Sequence, residues 1–538
     1  MGRKSKIIFI VVGVLFVVAI LLQLSINTQQ PDTGAHQTIN DPDLLEGKRL
    51  SEIHCSTCHK YPNPKLLPWR TWRFETLGAM APFLGVKDPS SSGSSHDQRS
   101  NPYIPKNIYP SEPQVTQEEW QKIRNYYLYV APQELAFEEM KPRIREDSLF
   151  FRASYPTYRP KNLPSVSAVE FDPKNKLIYL GDSNEKKLLV FNQTLDLINS
   201  RPIDSPLSQI EILNDTVKQI PRDLLLTFIG NFDPSDAPYG SVVRGGFDPL
   251  KMEFKKDSLL WDNLARPVES KYADLNKDGL KDLIVNEFGH RAGSLFWLEN
   301  KGEGKKPEKR VLISKPGCIQ SYVMDYNQNG YEDILALCSQ TDQAVYLFEN
   351  EGNGKFRRKT LLQFEVTAGS SSFEIHDFND DGHPDILYTS GDNADFSQTF
   401  KPYHGVYIYL NDGKDQFAQK WFYHINGAYN AKARDFSGNG LLDIAVISYF
   451  SDYENRPEEG FIFFKNEGDF SFTPYHHPRS DIGRWLTMDV ADWTGNGRDD
   501  IILANFPEGP IVSADSIKNR WERGPYFLLL ENLSDEVE

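Results

Sequence analysis

Basic residues are in short supply in this 538-residue chain, where 59 Lys and Arg stand against 75 Asp and Glu for a formal net charge of -16. No basic stripe appears after residue 10, and phosphate binding needs one, so a nucleic-acid partner is excluded. Cysteine is scarcer still, with four in all. Cys55 and Cys58 are followed by no other until Cys318, so the second ligand pair that a zinc site would need at short range is missing. No G-x-G-x-x-G follows a strand pattern and no nucleophile motif is present, which argues against a self-contained oxidoreductase. At this length the chain calls for two or three domains, with ample apolar content to bury them.

One long apolar run stands out. Residues 2–6 read Gly-Arg-Lys-Ser-Lys, and Ile7 to Leu24 form 18 residues without a charge, long enough to cross a bilayer with slight thinning. The basic end stays in the cytoplasm. A cleaved signal peptide is the rival, but the run is long for one and Ser25-Ile26-Asn27-Thr28 offers no Ala-x-Ala site. No cysteine follows closely, so a lipoprotein anchor has no acceptor. The expectation is a retained single-pass signal-anchor in the inner (cytoplasmic) membrane, residues 1–28, with the bulk of the chain in the periplasm after a linker over 29–42.

Cys55-Ser56-Thr57-Cys58-His59 has the C-x-x-C-H spacing of c-type haem attachment. Two thiols three apart on a helical turn can each add to one haem vinyl, and the next residue places an imidazole at the iron. The alternatives are a redox dithiol, which lacks its βαβ context here, or half of a zinc site. For the sixth ligand, Met80 is the methionine within reach, and Met/His ligation suits electron transfer. Otherwise Met80 fills the core while His54 or His96 binds iron or the position stays open. Thr116-Gln117-Glu118-Glu119 is a capping box opening an amphipathic helix through Trp120, Ile123, Tyr127 and Val130, closed by Pro132. A small all-α class I cytochrome c domain over 43–140 follows.

From His59 to Pro68 the sequence reads His-Lys-Tyr-Pro-Asn-Pro-Lys-Leu-Leu-Pro. This segment, with Trp72, Leu77-Gly78-Ala79-Met80 and Leu84-Gly85, resembles the cytochrome module of bacterial cytochrome–propeller fusion proteins. That resemblance implies one covalent haem c held by Cys55 and Cys58, with His59 and Met80 as axial ligands.

Five segments after residue 270 repeat one pattern. They carry Asp274, Asn276, Asp278 and Asp282; Asp325, Asn327, Asn329 and Asp333; Asp377, Asn379, Asp381 and Asp385; Asp435, Ser437, Asn439 and Asp443; and Asp492, Thr494, Asn496 and Asp500. Oxygen ligands at positions 1, 3, 5 and 9, with glycine at 6, suit a hard cation such as Ca2+. No Glu sits at position 12 and strands follow, so these are not EF-hands. First aspartates are spaced by 51, 52, 58 and 57 residues, the period of a propeller blade. Two degenerate units precede them, giving an all-β seven-bladed propeller over 146–538. Its last unit ends on a third strand, and Leu149 to Arg152 is the expected donor of the fourth. The loops resemble FG-GAP and VCBS repeats, calcium-dependent blades seen also in integrin α-chains. A single loop, notably the Asp435 or Asp492 copy, can also be a metal-free Asx-turn.

The aspartate loops share one face of the disc, so the second-to-third-strand loops share the other. These carry Glu287, Asp392, Asn393, Asp395, Lys401, Tyr403, His404 and Asp452, while Arg266 and Arg484 each precede their first aspartate by eight residues. They are read either as solvated loops with inter-blade salt bridges or as a ligand pocket at the mouth of the ring. The leading functional reading is a membrane-anchored electron carrier whose propeller docks a redox partner or ligand; the alternative is an oxidoreductase whose propeller oxidises a substrate, for example a sugar, and passes electrons to the haem. An adhesion role is weakest, since it leaves the haem idle. Finally, a hairpin numbered about residue 328 sets Cys318 opposite Cys338, as a disulfide in an oxidising compartment or as two buried thiols.

Overall fold

A computed structural model describes residues 39–90, 101–137, 141–213, 222–393, 398–510 and 514–533. The apolar run Ile7–Leu24, His96 and Asp395 lie outside the described residues. Among the described residues no helix is long and apolar enough to cross a membrane.

The N-terminal unit is helical. Asp41 caps α1 (Pro42–His54), accepting from the N–H groups of Asp43 at 2.8 Å and Leu44 at 3.3 Å, and Pro42 occupies a position that needs no donor. At α2 (Gln117–Val130) the expected capping box forms: Glu119 N–H donates to Thr116 Oγ1 at 3.1 Å, and Thr116 N–H donates to Glu119 Oε2 at 2.7 Å. The two helices pack at Gly47, where a Cβ would stand 2.2 Å from the Lys122 carbonyl oxygen. Glycine is therefore required for this close approach. Short helical turns over 64–84 bring Trp72, Leu77 and Leu84 into one core with Leu50, Trp120, Ile123 and Tyr127. Within it the Trp72 indole donates to Pro64 O and the Tyr127 hydroxyl to Pro62 O, both at 2.7 Å, which ties down the segment after Cys58.

Seven antiparallel sheets follow and make the seven-bladed propeller. Blade 3 shows the plan: Pro267–Ala273 innermost, then Asp282–Glu287, Ser294–Glu299 and Glu308–Ile313 outermost. Second strands are apolar on both sides because each sheet is covered on both faces, as in the fully buried Asp333–Cys338. The apolar clusters therefore lie between blades. Leu225 and Val242 of blade 2 pack with Leu283 and Phe296 of blade 3, and Phe171 and Ile178 of blade 1 pack with Ile502 and Leu529 of blade 7, completing the circle.

Closure follows the expected route. Phe151–Ser154 pairs antiparallel with Phe527–Asn532, Phe151 opposite Asn532, so blade 7 takes its outer strand from the chain segment before blade 1. One pairing has no counterpart in the sequence reading. Arg145–Glu146 adds a parallel fifth strand to blade 6 beside Tyr475 and His476, where the connector from the helical unit passes.

In blade 4 Cys318 and Cys338 stand opposite each other and form a disulfide, with Cα atoms 3.8 Å apart. Alkylation of the unreduced protein in denaturant, where buried thiols would react, should leave the peptides carrying both residues without a mass increment; label on either would contradict the bridge.

Candidate functional site

The five aspartate loops share one hydrogen-bond design. In the first four copies the leading aspartate accepts from the N–H groups of positions 5 and 6, as Asp325 does from Asn329 and Gly330 at 2.9 Å each. Asp492 accepts instead from Gly495 and Gly497. The position-6 glycines, Gly279, Gly330, Gly382, Gly440 and Gly497, all have φ between 83 and 85°, a conformation costly for other residues.

The position-9 aspartates, Asp282, Asp333, Asp385, Asp443 and Asp500, are completely buried. In each, one oxygen accepts from a loop N–H and the other from the N–H of the asparagine that ends the third strand. Those asparagines are Asn300, Asn350, Asn411, Asn466 and Asn532, at 2.6–2.8 Å. Several of them then reach the neighbouring blade: Asn350 Nδ2 donates to Leu275 O at 2.8 Å and Asn532 Nδ2 to Phe436 O at 2.9 Å. The sequence reading assigned position 9 to a cation. It missed this stapling role, whose signal was the asparagine closing each third strand.

Position 5 divides the loops. Where it is asparagine (Asn329, Asn439, Asn496), its amide donates to the third-strand asparagine's carbonyl at 2.9–3.1 Å. Asp278 and Asp381 cannot donate, so the loops 274–282 and 377–385 each carry carboxylates at positions 1, 5 and 9. Burial pushes Asp282 up to about 6 against its backbone donors, and Asp278 and Asp274 push the same way. Such crowding suits a cation. Among the described residues no three His, Cys, Asp or Glu side chains form a metal-sized group on their own, so the asparagine and backbone oxygens would have to contribute.

The second constellation lies where the helical unit meets the propeller. Cys55 caps the end of α1, Cys58 is exposed, and both thiols are free. Burial pushes the Cys55 thiol up to about 11. His59 Nδ1 lies 2.9 Å from Lys60 O; a carbonyl only accepts, so Nδ1 is the donor and Nε2 is the ring nitrogen left for a ligand. His59 and Met80 line one cavity of about 130 Å3, together with Pro62, Leu67 and Trp72. Its opposite wall is propeller: Phe288, Gln343, Thr367, Ser370, Asp392, Asn393 and Lys401 among others. The donor set of two free thiols, an imidazole with an available nitrogen and a thioether fits a c-type haem.

The helical unit thus covers the second-to-third-strand face, on blades 2 to 5. Lys60 pairs with Glu365 at 2.5 Å, Thr71 with Thr399 at 2.8 Å, and the Tyr403 hydroxyl donates to Leu66 O at 3.0 Å. Tyr103 and Tyr239 hydroxyls lie 3.2 Å apart. Of the residues assigned to that face, the cavity gathers Asp392, Asn393 and Lys401, with Tyr403 at the seam. His404 beside them is fully buried, and burial holds it well below the usual imidazole range, hence neutral. The others do not line the cavity. Arg266 donates to Gly289 O and Phe232 O; Glu287 accepts from Ala265 N–H and Ser294; Asp452 accepts from Asn455; Arg484 donates to Tyr449 O and Pro510 O. Both arginines serve to tie loops of neighbouring blades.

Comparison with known proteins agrees with the repeats. A profile of the FG-GAP-like repeat matches residues 274–336 and 325–388. Phosphatidylinositol-glycan-specific phospholipase D from Mus musculus is 23% identical over 227 residues, 38% of this chain and 26% of that protein, so the chain spans about a quarter of that relative. Solved structures with a similar outline include BBS1N in complex with ARL6DN, soaked with lead (9% identity, TM-score 0.42, 72% of this chain and 98% of that one). Another is the Dos1 propeller (8% identity, TM-score 0.42, 68% and 78%). Likeness at that level carries no functional meaning.

Asp333→Ala leaves the N–H groups of Tyr326 and Asn350 buried without acceptors and should cost about 2–4 kcal/mol in denaturant unfolding. Asp333→Asn, which keeps one acceptor oxygen, should cost less. Equal and small losses would show that the aspartate does not staple the blade.

Proposed function

We propose that this protein is a membrane-anchored, periplasmic monohaem c-type cytochrome, an electron carrier whose calcium-binding propeller forms a rigid platform under the haem unit. The observation that carries the reading is the meeting of His59, which directly follows the C-x-x-C pair, with Met80 at one cavity that Trp72 also lines. Bound there, the haem would supply one-electron redox chemistry. The chain's own part is to hold it. Cys55 and Cys58 would attach it, the Lys60 carbonyl orients His59 for the iron, Met80 would offer a soft sulfur that raises the potential, and Leu67 and Trp72 keep water away.

The anchor Ile7–Leu24 and the Cys318–Cys338 disulfide support a location outside the cytoplasm, where such bridges persist. Calcium would sit in the carboxylate-rich loops 274–282 and 377–385 in the first place. A partner protein or small donor supplies and removes the electron.

Replacing Met80 by Ala should abolish the absorption band of the sulfur–iron bond and lower the midpoint potential, as read by spectroelectrochemistry. An unchanged spectrum would remove Met80 from the site. Because a metal that binds only the folded state stabilises it by mass action, EDTA should lower the thermal midpoint and calcium should restore it. No shift, with no calcium by elemental analysis, would rule out the cation sites.

A further inference from the structure

Lys401 is 3% exposed, deep in the seam between the two units, and its Nζ donates to Asn393 Oδ1 at 2.8 Å. Asn393 is 2% exposed and its Nδ2 has no acceptor. A lysine carries three N–H donors, and a buried ammonium is costly unless a charge-bearing acceptor meets it. Burial accordingly pushes Lys401 down to about 8, while Asp392 and Glu75 work to keep its charge.

Both side chains belong to the cavity that His59 and Met80 line. The wall from the helical unit is largely apolar, with Pro62, Leu67 and Trp72, whereas Lys401, Asn393, Gln343 and Ser370 place hydrogen-bonding groups on the propeller wall. Haem has the same division: an apolar ring with two carboxylates on one edge.

The geometry points to a haem site completed by the propeller, in which Lys401 and Asn393 receive a haem carboxylate and Asp392 sets the opposing charge beside them. This rests on the reading that Cys55 and Cys58 carry haem. The propeller then does more than support the cytochrome unit. A cation buried near the haem favours the reduced form, because reduction adds negative charge in a medium of low dielectric, and an anion does the opposite.

The test is a spectroelectrochemical titration of the full-length haem-loaded protein and two variants. Lys401→Met should shift the oxidised-to-reduced ratio at fixed potential about tenfold toward oxidised, equal to about 59 mV for one electron. Asp392→Asn should shift it toward reduced. Lys401→Gln, which keeps a donor without the charge, should move with Lys401→Met and stands in for it if that variant does not fold. An unchanged potential in the Lys401 variants overturns the assignment, and so does a shift of the same sign in the Lys401 and Asp392 variants, the mark of loosened packing. A full-length chain that shows no haem stain after denaturing electrophoresis overturns the cytochrome reading itself, and this proposal with it.

Discussion

The propeller depends on one buried carboxylate, repeated five times. A completely buried aspartate is tolerable only when its oxygens are met by donors, and here each position-9 aspartate takes one N–H from its own loop and one from the end of the third strand. The asparagine supplying the second donor then turns its amide to a carbonyl of the same blade or its neighbour. Loop, sheet and adjoining blade are thereby fixed by one group. The apolar clusters between blades provide the bulk of the burial, but they are non-directional; the aspartate sets where the first hairpin sits on the third strand.

That rigidity matters for the opposite face. The helical unit lies on loops of four blades, and its cavity has walls from both partners, so the relative placement of His59 and Lys401 is only as firm as the loops around Asp392 and Thr399. The seam is polar at its rim, through Lys60 with Glu365 and Tyr103 with Tyr239, and closes over buried Asn393, Lys401 and His404.

Much of this was legible in the sequence, for local reasons. A glycine near φ 84° six residues into an aspartate loop is a fixed backbone geometry, and its recurrence gives five blades and their strand order, with two loop-less units of the same strand order making seven. The capping box at Thr116 and the donor strand at Phe151 were likewise readable from short patterns and from an unfilled edge. What was not legible is non-local. Nothing in the periodicity says that Arg266 and Arg484 reach for carbonyls of adjacent loops, that Arg145–Glu146 adds to blade 6, or that the helical unit closes over the face read as an open mouth. The stapling role of position 9 was hidden for another reason: a cation ligand and a staple both call for an aspartate.

The central claim is that His59 and Met80 would both hold one haem iron in the cavity they line. X-ray absorption at the iron edge of the full-length protein tests it most directly. A shell of nitrogens with a single sulfur is the predicted result. An iron with nitrogen and oxygen neighbours only, or a protein without iron, would contradict it.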